Sequence, residues 1–179
     1  MRKINKVFVA TSLDGCISDK DGGIDWLNSI PNPDNNDLGY NKFIENIDAI
    51  VMGRETFETV CSFDIDWPYK IPVFVLSNSL TTIPVEFNYK AELVQGSLDN
   101  ILDKINGRGY KRLYIDGGKT IQTFLKQDLI DELIVTTIPV ILGGGTRLFS
   151  ELPANLEFKL VESTLYLGQL VQNHYKRIR

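Results

Sequence analysis

The stretch 113–121, LYIDGGKTI, combines the two signals that decide the fold. It opens with a short, continuous apolar run that is typical of a buried strand, and it leads through Gly117 and Gly118 into an apolar stripe with helical spacing. A glycine at a strand-to-helix junction lets the backbone approach a ligand closely, and the helix N-terminus that follows offers unpaired N–H groups. The stretch therefore predicts an α/β protein with an anion-binding turn.

The same alternation extends towards the N-terminus. Apolar runs at 4–10, 49–52 and 73–76 have the length and continuity of strands that are covered on both faces. Between and after the runs, 37–46, 98–105 and 120–129 have apolar residues at helical spacing. Ser97 is the expected N-cap of the second helix, with Gly107 beyond its end, and Asp34 or Asp37 can cap the first. This order predicts a mostly parallel sheet with helices on both faces.

The last third of the chain changes character. Strand-like runs at 133–140, 158–165 and 167–175 follow one another, and no strong helix pattern separates the last two. Leu167-Gly168-Gln169 stands where a hairpin turn is expected. We therefore predict antiparallel strands added to the edge of the parallel sheet. His174, the only histidine, is interpreted as a surface residue of this region. No repeat or linker divides the chain, which predicts one domain over 1–179.

Composition excludes several classes of function. The 179 residues carry 19 Lys+Arg and 23 Asp+Glu, and a net charge of −4 argues against a nucleic-acid binder. No apolar run approaches the about 18 residues of a membrane span, and no signal-peptide pattern precedes the first strand. Cys16 and Cys61 lack the spacing of a zinc site. The expectation is a cytoplasmic protein without a membrane partner or a metal.

A second glycine turn repeats the first. The stretch 51–58, VMGRETFE, places Gly53 at the end of a predicted strand. Cations and hydroxyls that suit a phosphate accompany both turns: Arg54 and Thr56 in one, Lys119 and Thr120 in the other. Neither turn is G-x-G-x-x-G or a P-loop, and each glycine alone could simply end a strand. Together the two turns favour a phosphate-bearing ligand at the carboxyl edge of the sheet.

Two further segments stay open to more than one interpretation. Gly143-Gly144-Gly145 could form an anion nest, a flexible connection or a close-packed subunit contact. The loop 11–27 after the first strand is long enough to bind a ligand or cover a site. Trp26 in that loop could stack on a flat ring or anchor the loop to the core.

Four motifs together resemble the dihydrofolate reductase superfamily. More narrowly, they resemble its branch with the reductase domain of riboflavin biosynthesis and small stand-alone bacterial relatives, over Ile4 to about Tyr175. The motifs are Ser12-Leu13-Asp14-Gly15, Met52-Gly53-Arg54-x-Thr56-Phe57, Ile115-Asp116-Gly117-Gly118-Lys119 and Pro139-x-x-Leu142-Gly143-x-Gly145-x-x-Leu148-Phe149. The resemblance implies a three-layer dihydrofolate-reductase-like α/β fold. Its central sheet of eight or nine strands is mixed but mostly parallel, with antiparallel C-terminal edge strands and helices on both faces.

The resemblance also implies NADPH as cofactor, bound in extended form. Gly53, Arg54 and Thr56 are expected at the pyrophosphate and adenosine-phosphate end, and Gly117, Gly118, Lys119 and Thr120 on the other side of the pyrophosphate. Leu76, Ser77 and Asn78 are expected to flank the adenosine, and Ala10, Thr11, Gly15, Ile17 and Trp26 to form the nicotinamide-side wall with its loop. Many relatives have Ser-Arg in place of Ser77-Asn78, which leaves Arg54 to favour NADPH over NADH.

Candidates for the catalytic residues are Asp14, Asp37 and Trp26. Dihydrofolate reductases hold the pterin with an acid on the helix after the loop. Asp37 matches that acid in one alignment of the helix, whereas the other alignment puts Gly39 there. A helix cap is the alternative interpretation of Asp37, and a turn residue is that of Asp14.

The function implied is NADPH-dependent reduction of a small heterocyclic substrate. The riboflavin-pathway pyrimidine, as in a 5-amino-6-(5-phosphoribosylamino)uracil reductase, is the leading candidate. Dihydrofolate reduction and a non-catalytic nucleotide-binding module are the alternatives. The resemblance also implies a homodimer that pairs through the C-terminal strands and 143–149. An apolar series suits either this interface or plain sheet core: Phe158, Leu160, Val161, Leu165, Leu167, Leu170 and Val171.

Overall fold

An eight-stranded sheet forms the centre of the protein, whose computed structural model describes residues 2–179. A separate two-stranded sheet lies beside it. The strands of the large sheet are β1 (Ile4–Thr11), β3 (Ala49–Gly53), β4 (Val73–Leu76), β5 (Ala91–Val94), β6 (Arg112–Asp116), β7 (Glu132–Thr137), β9 (Phe158–Tyr166) and β10 (Leu170–Arg177). The small sheet pairs β2 (Cys16–Ser18) with β8 (Thr146–Arg147).

The strand order in the large sheet is β5-β4-β3-β6-β1-β7-β10-β9. All pairings from β5 to β7 are parallel, and β10 and β9 are added antiparallel at the β7 edge. Because parallel strands end at the same edge, β1, β3, β4 and β6 bring their carboxyl ends together there. The prediction of a mostly parallel sheet with an antiparallel C-terminal edge is confirmed.

Helices cover both faces of this sheet. They are α1 (Tyr40–Ile44), α2 (Arg54–Cys61), α3 (Leu98–Gly107) and α4 (Gly118–Lys126), with 3₁₀ turns at Asp25–Asn28 and Val85–Phe87. Neighbouring residues of β3 divide between the two cores, because side chains alternate along a strand. Val51 packs with α3 and α4, whereas Ile50 and Met52 pack with α1 and α2. The three-layer fold with helices on both faces is therefore present.

Several element boundaries differ from the sequence prediction. The N-cap at Ser97 is confirmed, since its hydroxyl accepts a hydrogen bond from the Asn100 amide at 3.4 Å, but α3 includes Gly107. Helix α4 begins at Gly118 rather than at Thr120, and α1 is shorter than 37–46. Strand β7 ends at Thr137, short of Pro139, which has no N–H for a sheet ladder. Strand β5 and the small sheet were not predicted.

The antiparallel edge carries an exposed apolar strip, formed by Leu160, Val161 and Leu165 of β9 and Val171 of β10. Leu165 is 63% exposed and lies directly opposite Val171 in the strand register. The interpretation of the apolar series as plain sheet core is therefore wrong for these four residues, although Leu170 is buried. No helix within residues 2–179 has the length and apolar character needed to cross a membrane.

A charge cluster joins three neighbouring strands: Lys6 of β1, Glu132 of β7, and His174 and Lys176 of β10. The buried Glu132 carboxylate lies 3.1 Å from Lys6 Nζ, 3.0 Å from His174 Nε2 and 3.7 Å from Lys176 Nζ. Burial would raise the pKa of Glu132, but hydrogen bonds from His174 and Lys6 and the charges of both lysines outweigh it and lower this pKa to about 2. The expected strand position of His174 is confirmed in β10, and its ring is 23% exposed and bonded to Glu132.

Candidate functional site

A cleft of about 970 Å³ opens where β3 and β6 end. Its volume is at the upper end of the range typical of ligand pockets. Most residues that the sequence assigned to the cofactor line it: Ile17, Gly53, Arg54, Thr56, Leu76, Gly117, Gly118, Lys119 and Thr120. The topology thus brings the two glycine turns together in one place.

The two turns pack against each other, because the glycine of each turn lies against the threonine hydroxyl of the other. A Cβ on Gly117 would overlap the Thr56 hydroxyl, and a Cβ on Gly53 would lie 2.8 Å from the Thr120 hydroxyl. Gly117 also has a φ of +87°, which side chains other than glycine rarely adopt. No side chain caps the N-terminus of α2 or α4. Free N–H groups of two helices therefore converge on the cleft, where they favour an anion.

Both cations that line the cleft are paired with carboxylates. Nη1 of Arg54 donates to both carboxylate oxygens of Glu58 at 2.9 Å, within α2. Nζ of Lys119 donates to Glu55 at 2.5 Å, which joins the first turns of α4 and α2 across the cleft. The hydrogen bond from Lys119 lowers the pKa of Glu55. All four side chains are at least 40% exposed, so water and incoming ligands can reach them.

An acid that sequence reasoning did not select lies in the cleft. Asp116 is the last residue of β6, and it is half-buried between the two glycine turns. Burial raises the pKa of its carboxyl group to about 6, although the Gly117 amide donates to Oδ1 at 2.8 Å. Its position at the end of a central strand, before Gly-Gly, was visible in the sequence. Its burial was not.

Three tyrosines surround this carboxyl group. Tyr69 lines the cleft, and Tyr114 donates to the Phe8 carbonyl at 2.9 Å. Burial and then the Asp116 charge raise the pKa of Tyr40 to about 12, and the same two causes raise the pKa of Tyr69 and Tyr114. The phenol groups therefore stay neutral at physiological pH. They form an apolar wall with hydroxyl tips around the acid.

The other predicted acids lie outside the cleft lining. Asp14 accepts hydrogen bonds from the Ser12 hydroxyl at 2.6 Å, the Leu142 amide at 3.1 Å and the Gly143 amide at 3.0 Å. The hydrogen bond from the Ser12 hydroxyl is the main cause of the lowered pKa of Asp14. Asp14 thus ties the loop after β1 to the glycine triplet. A Cβ on Gly145 would overlap the Ser18 carbonyl, so the triplet packs closely on β2.

Asp37 serves the start of α1. Its carboxylate accepts hydrogen bonds from the Asn41 amide at 2.8 Å and the Gly39 amide at 3.0 Å, and the first of these leads the causes that lower its pKa. The N-cap position itself is Gly39, in a left-handed conformation. The structure therefore places Asp37 as a capping side chain, exposed and away from the cleft lining.

The remaining predicted residues also lie outside the lining. Trp26 is half-buried in a 3₁₀ turn, and its Nε1 is buried without a hydrogen-bond partner. Ala10, Thr11, Gly15, Ser77 and Asn78 lie at or beyond the carboxyl ends of β1 and β4. Their roles stay predictions. In the part of the chain that the structure describes, 2–179, no group of three or more His, Cys, Asp or Glu side chains could hold a metal.

Comparison with known proteins places these observations in a family. The family model of the RibD C-terminal domain matches residues 6–171. A crystal structure from Shewanella sp. PV-4, of a protein provisionally named as a riboflavin biosynthesis protein, is 52% identical to this chain. It covers 98% of this chain and 99% of its own, with a TM-score of 0.96.

More distant structures share the fold. The Thermotoga maritima diaminohydroxyphosphoribosylaminopyrimidine deaminase/5-amino-6-(5-phosphoribosylamino)uracil reductase is 18% identical, with a TM-score of 0.73 over 99% of this chain and 57% of its own. Dihydrofolate reductase from Enterococcus faecalis, in complex with NADP(H), is 19% identical, with a TM-score of 0.68 over 97% of this chain and 96% of its own. These likenesses confirm the dihydrofolate-reductase-like fold.

Proposed function

The chain belongs to the RibD C-terminal domain family, and from this premise we propose that it is an NADPH-dependent reductase. Its substrate would be a small heterocycle of the riboflavin-pathway type, such as 5-amino-6-(5-phosphoribosylamino)uracil. The reductases among its structural neighbours support the reaction class.

The cleft suits a dinucleotide. Two helix N-termini without side-chain caps face it, and Gly53 and Gly117 let the backbone come close. Together with the Thr56 and Thr120 hydroxyls, these groups would hold a diphosphate. When bound, NADPH would supply the hydride, whereas the chain must orient the reactants, exclude water and provide a proton.

Asp116 is the single observation that carries the proposal. Conversion of a ribosylamino group to a ribitylamino group adds one hydride and one proton to the sugar. An acid with a pKa of about 6 keeps part of its population protonated near neutral pH, and it regains the proton readily from water. Asp116 lies in the cleft between the two turns, so it is positioned to donate this proton.

The aromatic wall would hold the heterocycle beside the acid. Tyr69 lines the cleft, and Tyr40 packs edge-on against Phe8 with ring centroids 5.7 Å apart. Flat rings stack well on such surfaces. Asp37, in contrast, is occupied as a helix cap, which disfavours the pterin-binding role expected of a dihydrofolate reductase.

The test is NADPH oxidation followed by absorbance, with the pyrimidine and dihydrofolate offered in parallel. We expect turnover of the pyrimidine and not of dihydrofolate. Turnover of dihydrofolate alone would contradict the substrate class. If NADPH raised the melting temperature but neither substrate was reduced, a non-catalytic nucleotide-binding module would replace the proposal. The absence of both turnover and thermal shift would contradict the cofactor.

We also infer that the chain forms a homodimer through the exposed apolar strip of β9 and β10. A strip of this kind on an outer sheet edge is typical of an interaction surface. Light scattering after size exclusion should give twice the chain mass for the wild type. Leu165→Glu should give the monomer mass, whereas Val85→Glu, at a 77% exposed site elsewhere, should not. A monomeric wild type would contradict this inference.

A further inference from the structure

The ionisable residues that line the cleft do not give it a net positive charge. Among residues 2–179, the lining contains two cations, Arg54 and Lys119, and three carboxyl groups, those of Glu55, Glu58 and Asp116. Each cation already has a carboxylate partner. The cleft therefore holds no lining cation without a partner for an additional phosphate.

NADPH and NADH differ by one phosphate, on the 2′-oxygen of the adenosine ribose. The two helix N-termini can serve the diphosphate that both cofactors share, because their N–H groups are free of side-chain caps. The extra phosphate needs a cation, and arginine is best suited because it binds phosphate with two parallel hydrogen bonds. Arg54 is the arginine among the described residues that line the cleft, so we take it as the partner of this phosphate.

Glu58 competes with a phosphate for the same guanidinium group. It lies four residues after Arg54 on α2, and both of its carboxylate oxygens lie 2.9 Å from Nη1 of Arg54. A phosphate at Arg54 must displace Glu58 or share the guanidinium with it, in which case two anions repel each other. A ribose hydroxyl meets no such conflict, since a carboxylate accepts a hydrogen bond from it.

Resting on the proposed function, we propose that Glu58 is the residue that sets cofactor choice. By holding Arg54, it weakens the preference for the 2′-phosphate, so that the wild-type protein prefers NADPH over NADH only weakly. Glu55 likewise pairs with Lys119 and reduces its availability to a phosphate, but this pair joins two helices. The sequence-based expectation that Arg54 favours NADPH is kept, but Glu58 reduces the strength of that preference.

The size of the effect follows from the exposure of the pair. Arg54 and Glu58 side chains are 40% and 50% exposed, and exposed ion pairs are weak. Freeing Arg54 should therefore strengthen NADPH binding by about two-fold to five-fold rather than by several orders of magnitude. The gain should shrink as salt is added, because salt screens exposed charges.

The experiment measures dissociation constants of NADPH and NADH by isothermal titration calorimetry, without substrate. Glu58→Gln keeps the size of the side chain and removes its charge, and Arg54→Gln removes the cation. Glu151→Gln, at an exposed position outside the cleft lining, is the matched control. Thermal melts of each variant check that the fold is intact.

We expect wild-type dissociation constants for the two cofactors within about five-fold of each other. Glu58→Gln should tighten NADPH alone, Arg54→Gln should weaken NADPH alone, and Glu151→Gln should change neither. An unchanged NADPH-to-NADH ratio in Glu58→Gln, or a wild-type preference for NADPH above about 100-fold, would overturn the role of Glu58. Lack of binding of both cofactors to every folded variant would instead overturn the proposed function.

Discussion

Two acids of this protein, Asp116 in the cleft and Glu132 in the charge cluster, have opposite pKa shifts although both are withdrawn from water. Burial raises the pKa of Asp116 to about 6. At Glu132 burial acts in the same direction, but His174, Lys6 and Lys176 overcome it and lower the pKa to about 2. The difference lies in the neighbours rather than in the depth of burial.

The difference in neighbours suits one acid to proton transfer and the other to holding the fold together. An acid without a cation is costly to bury in its charged form and is therefore ready to carry a proton, which is the property of a catalytic acid. An acid among cations is permanently ionised and holds strands together. The cluster of Glu132 joins β1, β7 and β10, whereas Asp116 ends β6 at the cleft.

The largest effect of a substitution is expected at Asp116. Asp116→Asn keeps the shape and removes the exchangeable proton, so turnover of the pyrimidine should fall by about 100-fold or more. The dissociation constant of NADPH, measured by calorimetry, should stay within about two-fold, since hydrogen bonds to the diphosphate remain. Turnover of Asp116→Asn near the wild-type rate would show that another group donates the proton.

The next largest effect is expected at Glu132. Glu132→Gln leaves Lys6 and His174 half-buried without their anion, and we expect a loss of about 3 kcal/mol in the free energy of unfolding. Urea denaturation measures this loss. Glu162→Gln is the matched control, because Glu162 is exposed and lies directly opposite His174 in the register of β9 and β10. Equal stability of the two variants would show that the charge cluster does not stabilise the fold.

The pH dependence of stability should have opposite signs at the two acids. The folded-state pKa of Asp116 is raised from 3.8 to about 6, so burial of its charge costs stability above pH 6 and nothing below pH 4. Asp116→Asn should therefore match the wild type near pH 4 and exceed it by about 3 kcal/mol at pH 7. Denaturation at a series of pH values checks this difference.

For Glu132 the folded-state pKa is lowered from 4.5 to about 2, so its contribution is present above pH 4.5. It is lost as the pH falls towards 2. The stability difference between wild type and Glu132→Gln should shrink over that interval. A difference that grows on acidification would contradict the assignment of the cluster as the cause.

The smallest effect is expected at the acids outside the cleft lining. Asp14 ties two loops together and Asp37 caps α1, so neither contacts the proposed reaction site. Asp14→Asn and Asp37→Asn should each change turnover by no more than about two-fold under conditions where the protein is folded. Steady-state kinetics at 25 °C measures this, and a loss as large as that of Asp116→Asn would return the catalytic role to these residues.

Much of the fold could be predicted because its signals are local. The apolar run at 73–76 matches β4, the cap at Ser97 is present, and the turn at 167–169 joins β9 to β10. Strand β5 escaped prediction because its four residues include Glu92, which breaks the continuous apolar pattern. The short strands β2 and β8 escaped because their pairing depends on a contact between distant loops.

The candidate site, like the fold, could be predicted only where its signals are local. Both glycine turns could be selected, since a glycine between a strand and a helix is a signal within a few residues. The choice among acids could not be made, because Asp14, Asp37 and Asp116 look alike in a sequence. Their hydrogen bonds and burial distinguish them: Asp14 and Asp37 accept backbone amides outside the cleft lining, and Asp116 lies inside it.

Local sequence patterns were enough to predict most of the strands and helices, the two glycine turns and the family, because periodicity, caps and motifs depend on near neighbours in the chain. The tertiary structure was needed to see which acid has a raised pKa and which cations are already paired. Glu132 meets His174 from 42 positions away, and Glu55 meets Lys119 from 64. Desolvation and charge act through space, so the state of an ionisable group is decided when the sheet and its helices assemble.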